Sequence, residues 1–199
     1  MYRLTPGRGL VLASASPRRR EMLSRLGLDF RLAPAEIDER LLPGESAAQA
    51  AQRLAAAKAA AVRVAPNDTV LAADTLVVLG EEIMGKPQDP EEAARMLRRL
   101  SGAEHLVLTG YCLQSGSDRE VGLGQSRVTF RTLSAGEIAA YVASGEPMDK
   151  AGAYAVQGLG AALVKRVSGS YTNVVGLPLA AVIELMLAKD LIQPWGGSA

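Results

Sequence analysis

Residues 70–79 constrain the fold more than any other stretch. Val70-Leu71-Ala72-Ala73 and Leu76-Val77-Val78-Leu79 are apolar enough for a buried strand, and Asp74-Thr75 stands between them. A carboxylate that interrupts apolar sequence is costly unless it is paired, metal-bound or lining a cleft. The chain must therefore bury two apolar runs and still give Asp74 a partner. After a Gly80-Glu81-Glu82 turn, Ile83-Met84 lead to Gly85-Lys86-Pro87, so one lysine follows the acid within a turn's reach.

Composition narrows the function classes. The chain has 199 residues, 48% of them hydrophobic and 22% charged, which is globular. A net charge of +1 gives no global field for a nucleic acid polymer or a membrane surface, so any anion site is local. Five Tyr, two Phe and one Trp are too few for a platform that stacks single-stranded bases. The lone Cys112 cannot form an internal disulfide, which suits a reducing, cytoplasmic setting. No run approaches the roughly 18 apolar residues of a membrane span, and arginines follow Leu10–Ala13 too closely for a signal peptide.

Read in order, Met1–Gly9 is expected to be a loose lead-in and Leu10–Ala13 a buried strand. Ser16 and Pro17 then suit the N-cap and first position of a helix that buries Met22, Leu23 and Leu26 and stops at Gly27. Strand, polar turn and helix N-terminus present free N–H groups, here with hydroxyls and Arg18-Arg19-Arg20. That is either a phosphate site or a capped surface helix with solvated arginines. Phe30–Pro34 predicts a strand, and Glu36–Arg40 an acidic loop. Ser46 and Gln49 form a capping box for an Ala-rich helix to about Val64, with Ala50, Leu54 and Ala57 or Ala61 inward. Lys58, beside that stripe, reads on its own as a snorkelling lysine.

Asp89-Pro90 opens a helix to Leu100. His105–Leu113 and Val121–Leu133 read as long strands joined by a turn, and Ser134 with Glu137 caps another helix that stops at Gly145. A polar loop, Glu146–Gly152, leads to Gln157-Gly158. Ala161–Val167 predicts a strand, a last helix runs from Val174 to about Leu191, and Gln193–Ala199 is expected to be a frayed tail. No linker or repeat divides the chain, so a single domain over 1–199 is expected.

Three motifs fail on inspection. Gly80–Lys86 fits G-x-x-x-x-G-K, but Pro87 stands where a P-loop needs a hydroxyl and a starting helix. Gly158-Leu159-Gly160 lacks the third glycine of a dinucleotide fingerprint and reads as a bend between strands. His105, the only histidine, has no triad partner at a recognisable spacing and reads as structural, as does Cys112 within an apolar strand. What remains is a set of cations and hydroxyls (Ser14, Arg18, Lys58, Lys86) and a set of carboxylates (Asp38, Glu39, Asp74, Asp149). The mixture suits metal-assisted chemistry on a phosphate ester.

The motifs resemble those of a known family. Leu12–Arg19 resembles the LASxSPRR opening of the Maf family of nucleoside triphosphate pyrophosphatases. Ala73-Asp74-Thr75 with Gly85-Lys86-Pro87 resembles its ADT…KP segment. Met96-Leu97, Leu100-Ser101-Gly102, His105 and Val107, then Asp149–Tyr154, Gln157-Gly158 and Asn173–Pro178 continue the match in order, from about Leu10 to Leu187. The resemblance implies an α/β fold of the Maf/ITPase-like kind: a long mixed twisted sheet with flanking helices, two lobes around a central cleft, and often a homodimer. It implies hydrolysis of a nucleoside triphosphate at the α–β bond to monophosphate and pyrophosphate, with a divalent cation, usually Mg²⁺. It also implies clearance of certain nucleotides and a link to cell-division arrest.

By position, the resemblance makes Asp74 the acceptor of the water proton and Lys58 and Lys86 the phosphate lysines. Ser14 and Arg18 fall in the phosphate and specificity motif. Arg18, Thr75 and Gln157 fall at positions tied to base choice, and Glu39 at a carboxylate tied to activity that is also the metal candidate. The DKAGAY…Q pattern resembles the branch acting on dTTP and UTP. A Gln amide donates and accepts, which matches the carbonyls and N3–H of uracil and thymine and mismatches the amino group of cytosine. Two alternatives are a pyrophosphatase for other or modified nucleotides and a non-enzymatic, nucleotide-responsive regulator of septum formation.

Overall fold

A computed structural model describes residues 1–195. In chain order the elements are β1 (Tyr2–Leu4), β2 (Gly9–Leu12), α1 (Pro17–Arg25), β3 (Arg31–Leu32), α2 (Ala47–Ala60), β4 (Asp68–Leu79), β5 (Glu82–Met84), α3 (Pro90–Leu100), β6 (Glu104–Ser115) and β7 (Asp118–Phe130). There follow α4 (Ala135–Ala143), three 3₁₀ turns (Glu146–Asp149, Ala151–Ala153, Gly158–Leu163), β8 (Val164–Gly169), α5 (Tyr171–Val175), α6 (Leu179–Ala188) and β9 (Ile192–Pro194). Among the described residues, seven strands form a mixed sheet ordered β3-β2-β4-β6-β7-β8, with β5 paired to β4. β2 runs parallel to both β3 and β4, whereas β4–β5 and β7–β8 are antiparallel. The fold is α/β, as expected. No helix among the described residues is long and apolar enough to cross a membrane.

The chain groups into two compact units. The first contains Met1–Asp74, Thr109–Gly124 and the chain from Gly176 on; the second contains Thr75–Leu108 and Gln125–Val175. In the first unit, Val11 and Ala13, Val70 and Ala72, Ala55 and Ala59, and Cys112 form a dry cluster. Small side chains let the layers approach closely. A Cβ on Gly110 would lie 2.1 Å from the Ala51 carbonyl oxygen, so only glycine fits there. In the second unit, Phe130, His105 and Tyr154 meet edge to face at centroid separations of 4.8–5.3 Å.

Several expectations need correction. The lead-in and tail are not both loose: β1 pairs antiparallel with β9, Tyr2 opposite Pro194 and Leu4 opposite Ile192, and Trp195 N–H donates to the Met1 carbonyl at 3.0 Å. Neither three-residue strand has an apolar run of its own, and each is ordered by a partner at the far end of the chain. Residues 196–199 of the expected tail lie outside the described residues.

The strand expected over Phe30–Pro34 is only Arg31–Leu32. Of the expected stripe of α2, Ala50 and Leu54 are buried, but Ala51, Ala55 and Ala59 complete it in place of Ala57 or Ala61, because alanine on all sides gives no contrast. The strand expected at Ala161 begins at Val164, after a 3₁₀ turn. The last helix is two helices, broken at Gly176, whose φ is +127°, and Pro178.

Candidate active site

In the first unit, the acid finds its partner through two periodicities. Along β4, Val70, Ala72 and Asp74 share one face, since side chains alternate. On α2, Ala55, Lys58 and Ala59 share a face at helical spacing, and Ala55 and Ala59 pack on Val70 and Ala72. Continuing both rows brings Lys58 Nζ to Asp74 Oδ1 at 2.6 Å. The same ammonium reaches Glu39 Oε1 at 2.6 Å. Lys58 is therefore not a snorkelling lysine. It is the hub of a carboxylate–ammonium–carboxylate group, with Asp74 buried and Glu39, from the acidic loop, half exposed to solvent. Asp38, the other candidate in that loop, turns instead to Arg40 in an exposed ion pair.

The Ser14 turn supplies the second part. Ser14 is buried, and its Oγ accepts from Ser16 N–H at 3.2 Å and from an Arg19 Nη1–H at 3.0 Å. With both lone pairs engaged, the hydroxyl proton is the part left to meet an acceptor. Ser16 caps α1 as expected, accepting from Arg19 N–H. The arginine the sequence did not single out is the buried one. Arg19 Nε–H donates to the Gly176 carbonyl at 2.7 Å, while Arg18 is only half-buried. Burial lowers the Arg19 pKa to about 10, against the pull of Asp74 and Glu39, and Arg18 repels it. It stays cationic at neutral pH. Lys58 touches both carboxylates, and Arg19 is within electrostatic reach of both and of Arg18, so cations outnumber carboxylates here, which suits a polyanion. Because β2 and β4 run parallel, with Leu12 opposite Leu71, Ser14 lies just past the end of β2 and Asp74 lies within β4, just past the last residue paired with β2.

In the second unit, Thr75 shares its face of β4 with Val77, and Val77 packs on Gly152, where an added Cβ would lie 2.9 Å from Val77 Cγ1. Gly152 N–H donates to the Gly85 carbonyl at 3.0 Å, joining the 3₁₀ turns to the Gly85-Lys86-Pro87 loop. Lys86 is exposed in that loop, and no helix begins until Pro90, so the P-loop is absent as expected. Asp149 is ion-paired with Lys150. Gln157, half-buried, precedes the third 3₁₀ turn, which starts at Gly158 with φ +67°. Each unit thus gathers its own candidates: Ser14, Arg18, Glu39, Lys58 and Asp74 in the first, Thr75, Lys86 and Gln157 in the second. His105 is buried, its Nε2 is 2.8 Å from the Tyr154 hydroxyl, and burial lowers its pKa to about 4. Burial likewise raises the Cys112 thiol to about 11. Both are structural groups, as their sequence settings suggested.

A family profile described as Maf-like protein matches residues 9–189. A dTTP/UTP pyrophosphatase of Anaeromyxobacter dehalogenans is 53% identical over 190 residues, covering 94% of this chain and 96% of its own. A dTTP/UTP pyrophosphatase of Myxococcus xanthus is 53% identical over 190 residues, covering 95% and 96%. A solved nucleoside-triphosphatase / dITP/XTP pyrophosphatase of Mycobacterium abscessus is a distant likeness, with 15% identity and a TM-score of 0.42 over 91% of this chain and 96% of that one.

Proposed function

The chain belongs to the Maf family, and on that premise we propose that it is a nucleoside triphosphate pyrophosphatase acting on dTTP and UTP. It cleaves the α–β bond and releases the nucleoside monophosphate and pyrophosphate. What carries the substrate class is the set of relatives, about half identical over nearly the whole chain, that bear that activity in their names.

The geometry of the first unit supports the chemistry. Asp74 accepts the proton of the attacking water. Lys58 holds Oδ1 at 2.6 Å and so fixes the carboxylate in place. An ammonium has three donors, and two are used on Asp74 and Glu39, which leaves the third for a phosphate oxygen. Ser14 donates its hydroxyl proton to the same anion, and Arg18 adds charge at the rim. Lys86 meets phosphate as a point charge. Thr75, Arg18 and Gln157 select the base.

The donor set also fits a hard divalent cation such as Mg²⁺. Asp74 Oδ1 and Glu39 Oε1 both face the Lys58 ammonium at 2.6 Å, so the half-exposed Glu39, rather than the proton-accepting Asp74, would be the carboxylate that holds the cation. Mg²⁺ takes one or two carboxylates and fills its shell with substrate phosphates and water. No group of three His, Cys, Asp or Glu that could hold a metal occurs among the described residues, so a cage made of protein alone is not the fit. When bound, the cation would offset charge on the phosphate oxygens. A homodimer and a cytoplasmic setting complete the reading, on the resemblance alone.

The test is incubation with Mg²⁺ and single nucleotides. UTP and dTTP yield monophosphate and pyrophosphate, and CTP is a poor substrate. Equal rates for CTP and UTP would sink the base assignment, and release of orthophosphate would sink the cleavage position. Asp74→Asn keeps an oxygen for Lys58 but removes the base, so kcat falls by about 10²–10⁴-fold while nucleotide binding persists. Retained turnover would remove Asp74 from that role.

A further inference from the structure

Ala155–Gly160, the segment that carries Gln157, is pinned on both sides by a single side-chain relay. Ala155 N–H donates to the Tyr141 Oη at 3.1 Å. The Tyr141 hydroxyl donates to Glu146 Oε1 at 2.8 Å. The same carboxylate accepts from Leu159 N–H at 3.1 Å and Gly160 N–H at 2.9 Å. Lys150 Nζ donates to the backbone carbonyl of Glu146 at 2.7 Å, holding the turn that bears it. Residues on both sides of Gln157 are thus tied to the C-terminal end of α4 and the turn that follows it.

The sequence is fitted to this relay. A Cβ on Gly158 would lie 2.4 Å from Glu146 Oε2, and one on Gly160 would lie 2.2 Å from the Ala155 carbonyl oxygen and 2.5 Å from the Tyr141 Oη. Neither position accepts a larger residue without opening the relay. The protonation states also agree. Burial raises the Glu146 carboxyl, but hydrogen bonds from Gly160, Tyr141 and Leu159 outweigh it and hold the pKa below the usual value. Burial pushes the Tyr141 phenol up, so it remains a donor. An ionised acceptor facing three donors makes strong bonds.

We propose that Tyr141 and Glu146 are a positioning pair: they fix where Gln157 presents its amide, and through it the preference for uracil and thymine over cytosine. The proposal rests on the reading of Gln157 as the residue that meets the base. A relay that served only folding would stabilise the loop without affecting which base is taken.

The experiment measures kcat/KM for UTP and CTP in the unmodified enzyme, Tyr141→Phe, Glu146→Gln, Gln157→Ala and the Tyr141→Phe/Gln157→Ala double variant. Tyr141→Phe and Glu146→Gln lower the UTP/CTP ratio about tenfold, the loss expected when one hydrogen bond to the base is misaligned. In the Gln157→Ala background, Tyr141→Phe changes the ratio no further. A single variant with a reduced melting temperature and an unaltered ratio overturns the proposal while leaving Gln157 in its role. An unaltered ratio in Gln157→Ala shows that the base-reading role has failed, and the positioning pair falls with it. If Glu146→Gln does not fold, Tyr141→Phe decides the matter, since it removes only a hydroxyl.

Discussion

Arg18 and Arg19 are adjacent and chemically alike, yet the fold gives them different work. Arg18 is half-buried. Arg19 spans Ser14 Oγ and the Gly176 carbonyl with two arms of one planar group. A lysine ends in a point charge and cannot make that span. Arg19→Lys therefore lowers the unfolding free energy by about 1–3 kcal/mol, because it leaves a buried carbonyl or hydroxyl unsatisfied. Arg18→Lys stays within about 0.5 kcal/mol. Urea midpoints of the two variants check the difference, and equal shifts would refute it. The SPRR sequence held the signal for a basic helix start but not for which arginine is buried, since that depends on a carbonyl near the other end of the chain. Lys58 shows the same limit. Its neighbours in sequence are alanines, and its two carboxylate partners come from a loop and a strand.

Elements whose ends are set by their own residues were legible. The boxes Ser46/Gln49 and Ser134/Glu137 both form, and Asp89 caps α3. Ser134→Ala removes the acceptor for Glu137 N–H and costs about 1 kcal/mol, measurable by chemical denaturation. Glu137 is the pH-sensitive half of its box. Backbone and side-chain hydrogen bonds from Ser134, with Arg131, lower its pKa to about 2. Its contribution is complete above the ordinary glutamate pKa and is lost as pH falls through about 2. By contrast, the first 3₁₀ turns after α4 look in the sequence only like a polar loop. The hydrogen bonds of Ala155 and Gly160 beyond them end on the Tyr141 and Glu146 side chains, and no periodicity announces that. The α2 stripe is legible at Ala50 and Leu54 and not beyond them, because a run of alanines carries no phase.

For the molecule as a whole, the succession of helices and long strands along the chain follows from apolar runs, caps and turns, and the α/β class from the family resemblance, while the β1–β9 pairing depends on residues too distant to be read locally. Global stability should carry the mark of His105. Burial holds its folded pKa near 4, against an ordinary 6.5. As pH falls below about 6.5 the unfolded chain takes up a proton that the folded one refuses until about 4. Stability due to this group is therefore complete above that window and declines through it, by up to about 1.4 kcal/mol per pH unit. His105→Phe is less stable at pH 7, since the Tyr154 hydroxyl loses its partner, but the gap to the unmodified protein narrows towards pH 4. Urea titrations across pH 4–7 check this, and a constant gap would refute it. The Arg19–Gly176 bond has a consequence for biosynthesis. Its partners are 157 residues apart, so at about 5–20 residues per second a ribosome separates their synthesis by on the order of ten seconds or more. A nascent chain stalled at Val175 would already hold every acid and lysine assigned to catalysis. It would still lack the carbonyl against which Arg19 sets Ser14, and such a fragment should be inactive although none of those residues has been lost.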